Sequence, residues 1–300
     1  VQFRLYRLFT NASGNLRGMI WMLGATLLFA AMHGAIRHVT AEIHPTEIAF
    51  FRNFLGLVFL SPLFLRYGLT PLRTQRFGMH LIRAILNVGN MIAFYTGLSL
   101  TPLAEATALN FTAPLFTTLL ATVFLGETLR LRRTTALLFG FAGALIILRP
   151  GFGELNIGAL LVVTSALIWG GIMVMIKVMS RTDSALTITL WMLLLMSVMS
   201  LPPALPFWTW PTWTGWAWLT FIGVSGTIAQ LMITQAIKEA EATSIMPIDF
   251  FRLIWATLIG YLAFTEVPDL FTWTGGTMIF ASATYIAFRE KKLHDDRKSG

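Results

Sequence analysis

Cysteine does not occur among the 300 residues. That excludes disulfides, thiolate metal sites and thiol chemistry. Charge is also scarce, at 12% Asp, Glu, Lys and Arg, against about 25% in a soluble globular protein. Such a chain cannot cover a water-facing surface. A soluble enzyme, a nucleic-acid binder and a disordered protein are therefore excluded for the chain as a whole. His-Glu-x-x-His spacing, a Gly-x-x-x-x-Gly-Lys-Ser/Thr phosphate loop and a nucleophile with an evident base are all missing, so no metal, cofactor, ATP use or enzyme activity is expected. The loops are too short for a re-entrant filter, which weighs against an ion channel.

Apolar length is what the chain has in abundance. Hydrophobic residues make up 56% and the mean hydropathy is +0.70. A spanning helix needs about 20 mostly apolar residues. Ten stretches qualify: 17–37, 45–65, 77–99, 103–125, 133–149, 155–179, 184–203, 213–237, 243–264 and 270–288. The reading is an all-α integral membrane protein with ten transmembrane helices. Residues 1–16, which mix Arg4 and Arg7 with Phe3, Leu5, Tyr6, Leu8 and Phe9, read as a cytoplasmic interfacial segment. Residues 289–300 read as a basic cytoplasmic tail. Taking the N-terminus and every second loop as one side, 16 Lys and Arg fall there and 2, Arg37 and Arg149, on the other. The remaining four of the 22 lie within spans. The positive-inside rule then places both termini in the cytoplasm, with the chain in the cell (inner) membrane. The run Phe207–Trp218 holds five of the ten tryptophans and reads as an aromatic belt at the external interface.

The chain also repeats itself. Shifted by 140 residues, Gly18–Thr40 lies over Gly158–Ser180, so that Leu27 meets Leu167, Phe29 meets Trp169, Ile36 meets Ile176 and Arg37 meets Lys177. Shifted by 136, Ala104-Glu-Ala-Thr107 lies over Ala240-Glu-Ala-Thr243, and Gly126-Glu127 is answered by Thr265-Glu266. Residues 17–149 and 155–288 thus read as two repeats of five helices. Five is odd, so the second enters the membrane from the opposite face. Two inverted-topology repeats around a central cavity suit alternating access.

Ala93-Phe-Tyr-Thr-Gly-Leu98, Thr101-Pro-Leu-Ala-Glu-Ala-Thr107, Pro114, Phe124-Leu-Gly-Glu127 and Gly140-Phe-Ala-Gly143 occur in order. Ala240-Glu-Ala-Thr243, Pro247 and Glu266 answer them in the second half. Together they resemble the EamA-type repeat of the drug/metabolite transporter superfamily, over residues 17–288. The resemblance implies a ten-helix permease with a central cavity that moves a small organic metabolite; many members export amino acids or other metabolites. The second half departs from the pattern in having Thr265 where the first has Gly126. The small multidrug relatives carry a membrane-embedded Glu in their first helix. Here that span holds no acid, only His33, which speaks against a Glu-driven proton/drug antiport.

An ionisable side chain in hydrocarbon costs about 2.5–3.5 kcal/mol on insertion scales, so each one needs a cavity or a partner. In the third span Arg83, Asn87, Asn90 and Phe94 share a face, with Tyr95 beside it. Arg83 is near the end and reads as snorkelling. Asn87 and Asn90 read as cavity lining or as interhelical hydrogen bonding. Asp249 and Arg252, three apart, read as a local ion pair facing the interior. Arg52 with Asn53 supplies a second cation. A positive group near the midplane suits a substrate carboxylate; the alternative is a salt bridge that locks the bundle. His33 reads as a proton relay or as a packing residue. Thr227, Gln230 and Thr234 form a second polar wall, and Phe29, Tyr95, Trp169 and Trp191 an aromatic-lined cavity. The candidate substrate site is Asn87, Asn90, Tyr95, Trp169 and Gln230, with His33 and Arg252. Pro114 and Pro247 are the candidate hinges. Gly140, Gly143, Gly275 and Gly276 allow close helix packing, within the chain or in a homodimer through the fifth and tenth spans. The expected function is a carrier that exports amino acids, aromatic or otherwise amphipathic, with a multidrug or other metabolite permease as the alternative. Its partners are the substrate, the bilayer and, through His33, a proton; nucleic acid is not among them.

Overall fold

The computed structural model describes residues 14–67, 74–126, 131–149, 156–179, 182–183, 185–240 and 248–299. Among these residues all regular structure is helical. The helices are α1 Gly14–Val39, α2 Pro45–Tyr67, α3 Phe77–Leu100, α4 Leu103–Asn110, α5 Ala113–Leu125, α6 Leu131–Leu148, α7 Ile157–Met179, α8 Ala185–Met199, α9 Leu201–Ala204, α10 Trp213–Glu239, α11 Phe251–Phe264 and α12 Leu270–Ser299. Six helical stretches are long and apolar enough to cross a membrane: α1, α3, α4 with α5, α7, Leu190–Phe207 and α10. Their outer stripes are apolar, as in Ile20, Leu23 and Leu27 of α1 and Leu160 and Leu167 of α7. This is a multi-pass membrane protein. The interfacial segment 1–16 lies almost wholly outside the described residues. α12 continues through the basic C-terminal tail, because Arg, Glu, Lys and Leu are good helix formers and no Gly or Pro interrupts them before Gly300.

The fourth span is broken rather than kinked. Phe111 and Thr112 form a turn between α4 and α5, with the Phe111 and Thr112 amides donating to Ala108 O (3.2 Å) and Leu109 O (3.0 Å). Pro114 is the second residue of α5. It has no N–H to return to the Asn110 carbonyl, and its ring crowds the preceding turn, so the ladder cannot run through. Pro247 lies outside the described residues. Beyond it Ile248 and Asp249 are helical, Phe250 is a turn residue, and α11 begins at Phe251.

The two halves end their broken helices in the same way. Gly126 follows α5 with φ 67° and ψ 24°, and Thr265 follows α11 with φ 57° and ψ 28°. The first costs nothing at glycine, whereas a β-branched residue is strained there. The Thr265 amide still donates to Tyr261 O at 3.2 Å. Thr265→Gly is expected to stabilise the detergent-solubilised protein by about 1 kcal/mol, the order of the left-handed penalty. A lowered or unchanged midpoint in thermal unfolding would remove the strain argument.

Helices pack mainly across the halves. α1 lies along α10 and α3 along α7; α11 packs on α1 and α5 on α7; α10 packs on α2 and α3 on α8; α6 packs on α12. Exchanging the halves turns six of these pairings into one another and leaves α6–α12 as itself. The α6–α12 contact is made by glycine backbone: a Cβ on Gly143 would stand 2.7 Å from Gly275 O. Gly140 faces Leu115 and Ser282, and Gly276 faces Ala108 and Leu253. All four glycines therefore serve helix packing within one chain, the first of the two expected uses.

Candidate functional site

Most of the residues at mid-height come from the ends of broken helices and from the inner faces of unbroken ones. Phe29 of α1 is nine residues from exposed Ile20, and Trp169 of α7 nine residues from exposed Leu160. Nine residues are about two and a half turns, so both rings point directly away from the lipid-facing stripe. Trp169 is nevertheless 37% exposed.

Around Phe29 the sequence-predicted residues converge. The buried His33 ring lies 6.1 Å from Phe29 and 4.9 Å from Phe94, and Phe94 contacts buried Tyr95 at 6.2 Å. The Arg252 guanidinium sits over Phe29 at 5.2 Å and over Phe111 at 5.9 Å, and donates to Asp249 Oδ1 at 2.6 Å. The helix break thus delivers Phe111 to the site, where it joins Phe250 and Phe280 in one aromatic cluster. Such a lining binds flat apolar groups and leaves orientation to a few polar anchors.

The other predicted residues differ in burial and in partners. Asn87 is buried two turns from Phe94 on the same face, and its Nδ2 has no hydrogen-bond partner among the described residues. Asn90 is half-buried. Gln230 is exposed and lies one turn on from buried Gly226. The threonines of its wall serve their own helix instead, Thr227 donating to Gly223 O (2.8 Å) and Thr234 to Gln230 O (2.9 Å). Trp191 is not part of the cavity. It packs at the end of the bundle against Phe77 (5.2 Å) and His80 (6.0 Å). Arg83 does not snorkel; it is buried and donates to Ile188 O of α8 at 3.1 Å. In the tryptophan run, Trp208 and Trp216 pack on Phe51 (5.3 and 4.9 Å), whereas Trp210 and Trp213 remain open as a belt would. His33 has no described acid bonded to it, and its Nδ1 lacks a partner among the described residues.

Both ends of the bundle are tied by charges that the sequence did not pair. At the end expected to be external, Arg37 pairs with Glu266 and donates to Leu98 O (3.3 Å) and Thr101 O. Glu266 also accepts the Leu103 amide at 2.9 Å, so it caps α4 from the far half. Arg149 pairs with Asp269. A recess beside these ties is lined by Pro102, Glu105, Thr257, Glu266 and Asp269. At the other end Arg17 pairs with Glu239 (3.0 Å), and His80 with Asp183 (2.7 Å). Burial works against the Asp183 charge, but hydrogen bonds from Thr74 and His80 outweigh it and hold the carboxyl below its usual range. The answering glutamates Glu127 and Glu266 were the available signal for the first tie.

The model of the EamA-like transporter family matches residues 16–149 and again residues 156–288. The chain belongs to that family. EamA-like relatives include the riboflavin transporter of Vibrio cholerae serotype O1 (strain ATCC 39315 / El Tor Inaba N16961), 34% identical over 92% of this chain and 95% of its own length. The S-adenosylmethionine uptake transporter of Rickettsia bellii (strain RML369-C) is 29% identical over 92% of this chain and 94% of its own. A crystal structure that is 20% identical superposes with a TM-score of 0.63, covering 92% of this chain and 98% of that one, a likeness of fold alone. The EamA family and these names are those of small-molecule membrane transporters rather than enzymes. They give no specific support to amino-acid export.

Proposed function

We propose that this EamA-like transporter carries an amphipathic metabolite with a flat ring, of the amino-acid zwitterion kind, by alternating access between two inverted five-helix halves. The observation that carries the reading is the pair Phe29 and Trp169, which occupy equivalent places in the repeat and both face inward at mid-height. Support for the inverted arrangement comes from the packing set that survives exchange of the halves and from the matching left-handed residues Gly126 and Thr265. The site is Asn87, Asn90, Tyr95, Trp169 and Gln230, with His33 and Arg252 at its edge. The α4–α5 break at Pro114 is the hinge of the first half. S-adenosylmethionine, the solute of one relative, is itself an amino-acid zwitterion bearing a flat base. Both termini face the cytoplasm, by the 16-to-2 distribution of Lys and Arg. Export follows from the resemblance to metabolite exporters, with a proton as the coupling ion.

Counterflow in proteoliposomes tests this, with aromatic amino acids, S-adenosylmethionine and riboflavin, in both directions and with and without a pH gradient. Exchange should saturate and be accelerated by solute on the far side. Asn87→Ala and Gln230→Ala should lower it about tenfold, the scale of one lost hydrogen bond to a charged group, at unchanged yield of folded protein. Wild-type rates in both variants for every carried solute would show the site to be elsewhere. Flux that neither saturates nor exchanges would make the protein a channel.

A further inference from the structure

The bundle holds two mid-height guanidiniums, and they are not equivalent. Arg252 is neutralised by Asp249 at 2.6 Å. Arg52 has no carboxylate within ion-pair distance among the described residues. Its Nη1 donates to the neighbouring Asn53 Oδ1 at 3.1 Å, and its Nε is buried without a partner. Nor does Arg52 reach toward an interface. Its guanidinium lies against Gly226, where an added Cβ would be 3.5 Å from Nε and 3.6 Å from Nη2. Gly226 is the central residue of α10 (Trp213–Glu239), so the charge sits at the mid-height of that helix. A Cβ at Gly226 would touch the guanidinium only at ordinary van der Waals distance; the atom it would crowd is Met32 Sδ, at 2.6 Å.

The surroundings offer the charge no relief. Arg52 acts electrostatically on both His33 and Tyr95, and Arg252 acts on the same His33. Asn53 turns its Nδ2 toward Met91 Sδ at 3.5 Å, and Met32 sulfur lies beside Gly226. Among the described residues none of these neighbours is an anion. An unpaired cation in such a place is costly to fold around. An arginine so placed presents two parallel N–H donors, the geometry that matches a carboxylate.

We infer that Arg52 is the anchor for an anionic group of the transported solute, a carboxylate held by the guanidinium against Gly226 while the aromatic part lies on the Phe29, Phe94 and Phe111 side. The inference rests on the carrier reading above and adds its specificity. Solutes with a carboxylate are favoured over their neutral analogues, and Arg252, already paired, contributes packing over Phe29 rather than selectivity.

Two probes separate charge from shape: indole-3-acetate and indole-3-acetamide, which share a ring and differ in the anion. Their Kd values are measured by equilibrium dialysis on the full chain in lipid nanodiscs. Wild type should prefer the acid by about 10- to 100-fold, the range of a charge-assisted hydrogen bond. Arg52→Gln should bring the ratio near one and leave acetamide binding unchanged. Asn53→Asp keeps Arg52 but supplies a carboxylate where Nη1 already donates, and should also abolish the preference. Asp249→Asn, which frees Arg252, should not. The anchor is overturned if wild type shows no preference or binds neither probe. It is also overturned if either variant keeps the preference, or if both variants lose acetamide as well, since Arg52 is then a folding residue. Counterflow without acid preference leaves the carrier standing and removes the anchor. Acid preference without counterflow of any solute does the reverse.

Discussion

Glu266→Ala should cost the folded protein about 3 kcal/mol, the low end of the range for breaking a buried ion pair. The low end applies because the Arg37 and Glu266 side chains are 19% and 16% exposed. The change strands two groups at once: the Arg37 guanidinium and the Leu103 amide at the start of α4. Glu266→Gln keeps an acceptor for that amide and should cost less. Arg37→Met added to Glu266→Ala should recover part of the loss, because the stranded cation is then gone. Thermal unfolding in detergent reads the difference as a drop of about 5 °C or more for the single alanine variant. The functional consequence is separable. The tie joins α1, the α3–α4 corner and the α11–α12 loop, so opening that end must break it. A cysteine introduced at Ala104, which lines the adjoining recess, should react faster with a membrane-impermeant thiol reagent in the Glu266→Ala background. The chain has no other cysteine to confuse the reading. Unchanged stability together with unchanged labelling would leave the tie without a role.

Gly143→Leu is expected to yield no monodisperse protein. A Cβ on Gly143 would meet Gly275 O at 2.7 Å and the Met278 Cβ at 2.8 Å. The first obstacle is backbone, and neither can swing aside as the tip of a side chain can. Gly275 meets Gly143 O and Ile147 in the same way. Even Gly143→Ala must push α6 and α12 apart, at about 1–3 kcal/mol for overpacking. Gly89 provides the contrast: nothing lies within 4 Å of its added Cβ, so Gly89→Ala should stabilise α3 by about 0.5–1 kcal/mol. Size-exclusion profiles and unfolding midpoints of the three variants decide it. A well-behaved Gly143→Leu protein would mean that α6 and α12 do not meet through these glycines.

The all-helical class and six of the ten expected spans were legible, because hydrocarbon imposes a length and a composition on each helix, and those survive without any knowledge of neighbours. Helix faces were legible for the same reason, so Asn87, Tyr95 and His33 are buried and Trp169 faces inward. Local pairing was readable at Asp249 and Arg252, three residues apart. What failed involves partners remote in sequence. His80 meets Asp183 across 103 positions and Leu103 meets Glu266 across 163, distances at which spacing carries no information. Trp191 was misplaced because an aromatic ring fits a cavity wall and a bundle end equally well. Thr227 and Thr234 share a face with Gln230, but a threonine on a helix can spend its hydroxyl on its own backbone, which periodicity does not reveal. Pro114 announced a defect in the fourth span, yet not that the defect would be a full turn that delivers Phe111 to the centre.

The pairing of helices across the halves also sets a schedule for synthesis. α1 finds its main neighbour in α10, which begins roughly 170 residues after α1 ends, some ten to thirty seconds later at about 5–20 residues per second of translation. α3 likewise waits for α7, and α6 for α12. During that interval the early helices stand in the bilayer with their polar faces uncovered: Asn87, His33 and Arg52 have lipid, stray water or the insertion machinery for company. Neither half is a domain that can finish alone. The nascent protein is therefore most vulnerable to quality-control proteases between the emergence of α6 and that of α10, and a destabilising change in the second half would first be felt as loss of the first.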